Sequence, residues 1–171
     1  MQVIDVKNLD YKAVNEALRK ADKDCSIKGC CGQRFIAAGM SGKSLTINGI
    51  PGNALGAYLD NSNITVHANA QDAVGDTMNE GKILIHGNVG DAAGYAMHGG
   101  KMFLRGNCKD IRFPEQVTAR CASDEDLAEI KEYLSEYCTD FGYSVDELLS
   151  APFTIITPDS KNPYKQMYVA K

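Results

Sequence analysis

The sequence predicts a mainly β protein: a single-stranded parallel β-helix of 19-residue coils, with a helix capping its N-terminal end and a helical segment after its last coil. Three observations carry this. First, residues 44–62 (SLTINGIPGNALGAYLDNS), 63–81 (NITVHANAQDAVGDTMNEG) and 82–100 (KILIHGNVGDAAGYAMHGG) align as units of 19, and a fourth begins KMFLRGNCKD at Lys101. Second, each unit opens on an alternating apolar pair (LxI, IxV, IxI, MxL), the signature of a short strand. Third, glycine and Asn/Asp recur at fixed places after each pair, which leaves no stretch for a helix.

The columns of this alignment assign roles. Leu45, Ile64, Ile83 and Met102 form one column, and Ile47, Val66, Ile85 and Leu104 another; both point inward and fill the coil. Gly56, Gly75 and Gly94 mark a corner that needs positive φ or close backbone approach. Asn53, Asp72, Asp91 and Asp110 form a turn column, each side chain expected to cap its own turn. Upstream, residues 27–43 fit residues 85–101 without a gap at an offset of 58. That is three periods plus one, so a residue is expected to be missing from a turn between Lys43 and Leu45, and the repeat covers residues 27–110. A left-handed hexapeptide helix fits less well, because the unit is 19 residues and shows no six-residue sub-period. The repeat by itself does not set the handedness.

The flanks follow in order. Val3, Ile4 and Val6 predict a short strand. Residues 11–21 predict a helix capped by Asn8 or Asp10, with Val14, Ala17, Leu18 and Ala21 on one face, suited to cover the open end of the solenoid; residues 1–26 are this cap. After Asp110 the repeat fails: Phe113 stands in the glycine column and Pro114 follows. Residues 111–171 form the C-terminal segment. Within it, 123–138 read as one helix, opened by a Ser123/Asp126 capping box and striped by Leu127, Ile130, Leu134 and Cys138. SVDELLS (144–150) reads as a second helix capped by Ser144, and Phe153–Ile156 as a strand. The tail with Pro163, Tyr164 and Tyr168 suits either a docking arm or packing on the chain's own coils, and the latter is favoured. At 171 residues the whole is expected to be one compact domain.

Composition excludes several classes of function. The net charge is −4 and Lys and Arg are scattered, so no basic stripe offers itself to nucleic acid or to an acidic membrane face. The first residues lack the apolar run of a signal peptide, and nowhere are eighteen successive residues apolar; a soluble, cytoplasmic protein is expected. Cys25, Cys30, Cys31, Cys108, Cys121 and Cys138 form no CxxC pair and are expected to be reduced thiols. Cys25, Cys30 and Cys31 would be the nucleus of any metal or iron–sulfur site, although paired, tighter spacing is usual for one.

No catalytic constellation stands out. GNVGDAAGYAMHGG (87–100) is rich enough in glycine to suggest a phosphate loop, but such a loop occurs once, between a strand and a helix, whereas this pattern repeats with no helix after it. His67 and His86 share a column with Asn48 and Arg105 and alternate with inward residues, so they point outward and are expected to be solvated, with metal binding the alternative. His98 falls in a turn. The stacked Asp72, Asp91 and Asp110 raise a cation site against the simpler turn role. No catalytic, cofactor-binding or metal-binding residue is therefore assigned.

The repeats GQRFIAAGM (32–40), GNALGAYLDN (52–61) and residues 69–107, with the tail LLSAPFTIITPDSKNPYKQMYV (148–169), resemble the C-terminal GXGXG domain of glutamate synthase large subunits. The likeness is to the version that archaea and some bacteria keep as a separate polypeptide. One component of formylmethanofuran dehydrogenase shares these repeats. The resemblance implies a right-handed parallel β-helix with no catalytic residue. It implies a chain that braces a glutamine amidotransferase component against an FMN and iron–sulfur synthase component, with those cofactors in the partner subunits and none on this chain. The ladder here stops after Arg105–Gly106, several coils earlier than in typical members. A stand-alone, self-associating β-helix and a subunit of a formylmethanofuran dehydrogenase-type enzyme are the alternatives.

Overall fold

Each apolar pair of the repeat becomes one strand of a single sheet. In the computed structural model, which describes residues 1–106 and 108–163, the strands are β1 (Gln2–Asp5), β2 (Asp24–Cys31), β3 (Ser44–Ile50), β4 (Ser62–Val66), β5 (Gly81–Ile85), β6 (Lys101–Leu104), β7 (Val117–Cys121) and β8 (Thr154–Pro158). Their order across the sheet is β1-β2-β3-β4-β5-β6-β8-β7. Five parallel pairings link β1 through β6, so the chain winds through five turns of a β-solenoid. From β3 to β6 the register is the predicted one: Leu45 on Ile64, Ile83 and Met102, and Ile47 on Val66, Ile85 and Leu104. All eight side chains are buried in one continuous core.

The first coil departs from the expected alignment. Cys25 pairs with Leu45 and Ile27 with Ile47, twenty residues apart, whereas Cys30 pairs with Gly49, nineteen apart. The irregularity is an extra residue in coil one, a bulge between Lys28 and Cys30, and not a deletion between Lys43 and Leu45. Gly29 occupies the bulge at φ +74°, and a Cβ there would lie 2.9 Å from an Asp5 carboxylate oxygen. A bulge absorbs one residue without disturbing the register of the turn that follows.

The corners are bonded both up and down the stack. The amides of Phe35, Ala54, Ala73 and Ala92 donate to the following coil, to the carbonyls of Asn53, Asp72, Asp91 and Arg112. Two residues later, the amides of Gly56, Gly75 and Gly94 donate to the preceding coil, to Ile36, Leu55 and Val74. Both sets hold positive φ, from 56° to 79°. At the glycine column a Cβ would press on the core: at Gly75 it would meet Met102 Sδ at 2.9 Å. The alanine column bears the same backbone without that relief. Hydrogen bonds in both directions offset its left-handed cost of about 1–2 kcal/mol per residue.

The N-terminal end is closed by α1 (Tyr11–Lys20), one residue shorter than predicted. Asp10 is the cap, accepting from the Ala13 amide at 2.9 Å. Val14 and Leu18 sit in the same core as Val6 and Ile36. At the other end, β8 pairs antiparallel with β6, and β7 pairs antiparallel with β8. The predicted strand at 153–156 is thus real and one residue shifted at its start, while β7 was not predicted. Here the chain turns back on itself where a further parallel coil would have stacked.

The predicted helix at 123–138 is broken into α2 (Asp124–Ala128), a 3-10 turn (Lys131–Tyr133) and α3 (Ser135–Phe141); α4 (Val145–Leu149) follows. The expected capping box forms at Ser123 with Asp126, and the expected cap Ser144 forms a second one with Glu147. These helices cover the outer face of the sheet. Leu84 and Phe103 project outward from β5 and β6, and they are buried with Ile130, Leu134, Leu148 and Phe153 in a second core. Tyr164 and Tyr168 lie outside the described residues.

Candidate functional site

The column Asn48, His67, His86 and Arg105 leaves the sheet just beyond the inward Ile47, Val66, Ile85 and Leu104. The ladder carries on through it, since His67, His86 and Arg105 donate to the carbonyls of Ile47, Val66 and Ile85 at 2.9–3.0 Å. The side chains do point outward, but the expectation that the histidines are solvated is overturned: His67 is 7% exposed and His86 6%. The reason is α3, whose aromatic face lands on them. Tyr137 stacks flat on His86, with ring centroids 3.9 Å apart at 4°, and His67 meets the same ring edge-on at 5.3 Å. Phe141 closes the far side of His67 at 6.1 Å.

Polar contacts fix this seat. The His67 Nδ1 lies 2.9 Å from Asn48 Oδ1 and 3.8 Å from an Asp140 carboxylate oxygen. Arg105 Nη2 donates to Tyr137 Oη at 2.7 Å, and Thr46 Oγ1 donates to Glu136 at 3.0 Å. Both ring nitrogens of His86, and Nε2 of His67, are buried without a hydrogen-bond partner. Burial, with the charges of Arg105 and His67, pushes the His86 imidazole down to about 3. Burial also lowers His67, against the opposing pull of Glu136 and Asp140. Both rings are therefore neutral near pH 7, serving as flat surfaces on which α3 rests.

A second polar cluster holds α2. Asp126 accepts from Arg120 at 2.6 and 3.1 Å and from the Ser123 amide at 2.9 Å. The Arg120 hydrogen bonds hold its carboxyl well below the usual carboxylate range. Lys101 at the start of β6 reaches both Asp126 and Glu129.

The Asn/Asp column does not cap its own turns. Asn53 Oδ1 accepts from the Asp72 amide at 3.2 Å, Asp72 Oδ1 from the Asp91 amide at 3.0 Å, and Asp91 Oδ1 from the Arg112 amide at 3.2 Å. Each side chain satisfies an amide of the next coil, because equivalent residues stack at strand spacing. Asn69 does the same for the Asn88 amide at 2.8 Å. The spacing of 19 from Asn53 to Asp72, Asp72 to Asp91 and Asn69 to Asn88 carried that signal, once read along the stack instead of around the turn; at the last step the partner is Arg112, 21 residues on, and not the expected Asp110.

The stretch 87–100 is the corner between β5 and β6, where the amides of Gly90, Ala92, Gly94, His98 and Gly99 donate to neighbouring coils. Cys25 and Cys30 face the core, and burial pushes the Cys30 thiol up to about 11; Cys31 is exposed. Among the described residues no three His, Cys, Asp or Glu side chains gather as a metal-holding group. Also among the described residues, no helix is long and apolar enough to cross a membrane.

An uninterrupted coil stack, whose polar columns bind one coil to the next and seat the cap, defines a β-solenoid. The chain belongs to the GXGXG motif family, which matches residues 9–113, from the start of α1 through the last coil. An uncharacterised protein of Methanocaldococcus jannaschii is 40% identical over 65 residues, 33% of this chain. The match spans a quarter of that relative's length, 25%.

Proposed function

We propose that this chain is a non-catalytic structural subunit related to glutamate synthase, bracing a glutamine amidotransferase component against an FMN and iron–sulfur synthase component. The observation that supports this reading is the family match, which falls on the residues that build the coils and not on any reactive cluster. His67 and His86, the Asn/Asp ladder and the buried thiols Cys25 and Cys30 are engaged in packing or backbone bonding. A brace needs stiffness and outer faces. The doubly bonded corners supply the first. The second is offered by rings standing out from the corners, Phe35, Tyr58 and Tyr95, each more than two-fifths exposed. Aromatic side chains of this kind are enriched where proteins meet. FMN and iron–sulfur clusters would belong to the partners.

One observation favours a second reading. The stack is closed at β6 by the antiparallel β8, so it has fewer coils on which two partners could sit. A stand-alone protein that associates with itself would be satisfied by such a short ladder. Affinity purification of the tagged chain from its native cells distinguishes the two. Flavin and iron–sulfur absorbance, with two co-purifying subunits, is expected for the brace. A colourless eluate holding this chain alone would rule that role out and leave the stand-alone protein.

A further inference from the structure

A cleft of about 670 Å³ opens where the coil stack gives way to its C-terminal cap, between the chain leaving β6 and the β7–β8 pair. We propose that this cleft is a binding site for a small organic anion, a carboxylate or phosphate carried on an apolar body. The volume lies within the range of small-molecule pockets, roughly 300–1,000 Å³. The chemistry of the walls sets the class of ligand. Arg105, Lys109 and Arg120 line the cleft, and among the described residues no carboxylate does, on a protein whose net charge is −4. Arg120 is offset by Asp126 behind it. Arg105 is not offset in this way: its hydrogen bonds go to Tyr137 Oη and the His86 carbonyl, both neutral. Its guanidinium lies over the Tyr137 ring, 4.8 Å from the centroid, and its Nε is buried with no hydrogen-bond partner. Guanidinium groups of this kind match carboxylate and phosphate oxygens. Phe113 and Phe153 supply apolar wall for the body of the ligand.

The cleft also carries its own reporter. Cys121 lines it and is exposed, while Cys108 in the same wall donates its thiol proton to the Gly106 carbonyl. In alkylation the Cys121 thiolate displaces iodide, one S–C bond forming as one C–I bond breaks. Iodoacetate and iodoacetamide do this identically except for charge. The folded protein is treated with a limiting equimolar mixture of the two reagents, and the product ratio at Cys121 is read by peptide mass spectrometry against the same cysteine in urea-unfolded chain. The unfolded reference cancels the intrinsic preference of the reagents. An anion-gathering cleft raises the iodoacetate-to-iodoacetamide product ratio at Cys121 by about threefold or more over the unfolded chain at low salt, and about 1 M NaCl abolishes the excess. Lys109→Gln lowers it, and phenyl phosphate, but not phenol, slows alkylation of Cys121 by iodoacetamide. An iodoacetate share in the folded protein no higher than in the unfolded chain, or equal protection by phenol and phenyl phosphate, overturns the proposal. Neither outcome bears on the brace, which the affinity purification tests separately.

Discussion

Single residues here answer to their neighbours in the next coil. Gly81 and Gly42 show this. Both hold positive φ, +111° and +67°, but a Cβ on Gly81 would lie 2.0 Å from the Ser62 carbonyl oxygen, whereas at Gly42 nothing lies within 4 Å. Gly42→Ala should cost about 1 kcal/mol, from the backbone alone. Gly81→Ala adds a collision with backbone that cannot move aside, and should cost at least about 3 kcal/mol in urea unfolding. Equal losses would mean that coil spacing is not what demands glycine at 81. His86 gives a pH signature. In the unfolded chain it protonates below 6.5, and in the folded chain only near 3. Its contribution to stability is therefore complete above pH 6.5 and is lost as pH falls toward 3, at about 1.4 kcal/mol per pH unit. His67 acts in the same direction. His86→Phe keeps the stack on Tyr137 and removes one titrating ring. Its urea-unfolding free energy should fall less steeply than wild type between about pH 6.5 and 4.5, above the carboxylate range. Parallel curves would show that His86 is not buried neutral.

At the scale of elements, the sheet works on both faces. The inward columns were legible from the period-2 apolar pairs. The outward Leu84 and Phe103 were ambiguous, because an apolar residue at an outward place shows that something covers it without showing what. The cover is α2 to α4, and it explains why the predicted single helix breaks. Across the break the bonds shorten to i→i+3, with Ile130 donating to Leu127, Tyr133 to Ile130 and Leu134 to Lys131. These tighter turns bury Ile130 and Leu134 fully, ahead of Tyr137 on His86. Phe103→Ala removes the largest fully buried side chain and should cost about 3–5 kcal/mol. Amide exchange should quicken most in α3 and α4, which lose their platform. Faster exchange confined to the coil interior would place Phe103 in the wrong core.

The molecule as a whole is a ladder with two stoppers. A parallel stack leaves a strand edge at each end, and unpaired edges invite association. Removing residues 111–171 takes away β7, β8 and all the helices that cover Leu84 and Phe103. The shortened chain is expected to self-associate through β6, with light scattering showing species well above monomer mass. A monodisperse monomer would mean that the coils need no C-terminal cap. This places the proposed cleft in context. It lies at the junction between the repetitive part and the cap, where the side chains no longer answer to a column above and below.

What the sequence determined by itself was everything that repeats. Nineteen-residue spacing, the inward Leu/Ile/Val columns and the glycine corners follow from local preference multiplied along the stack, so each coil confirms the one before. Tertiary structure alone decided what happens once: the bulge at Gly29, the antiparallel turn-back of β8 onto β6, the burial of His67 and His86 under Tyr137, and the gathering of Arg105, Lys109 and Arg120 around one cleft. The physical reason is the range of the forces involved. A repeat is stabilised by its nearest neighbour at a fixed offset, which leaves a period in the sequence. The cap is held by contacts between residues as far apart as Thr46 and Glu136, and contacts made once at long separation leave no period to read.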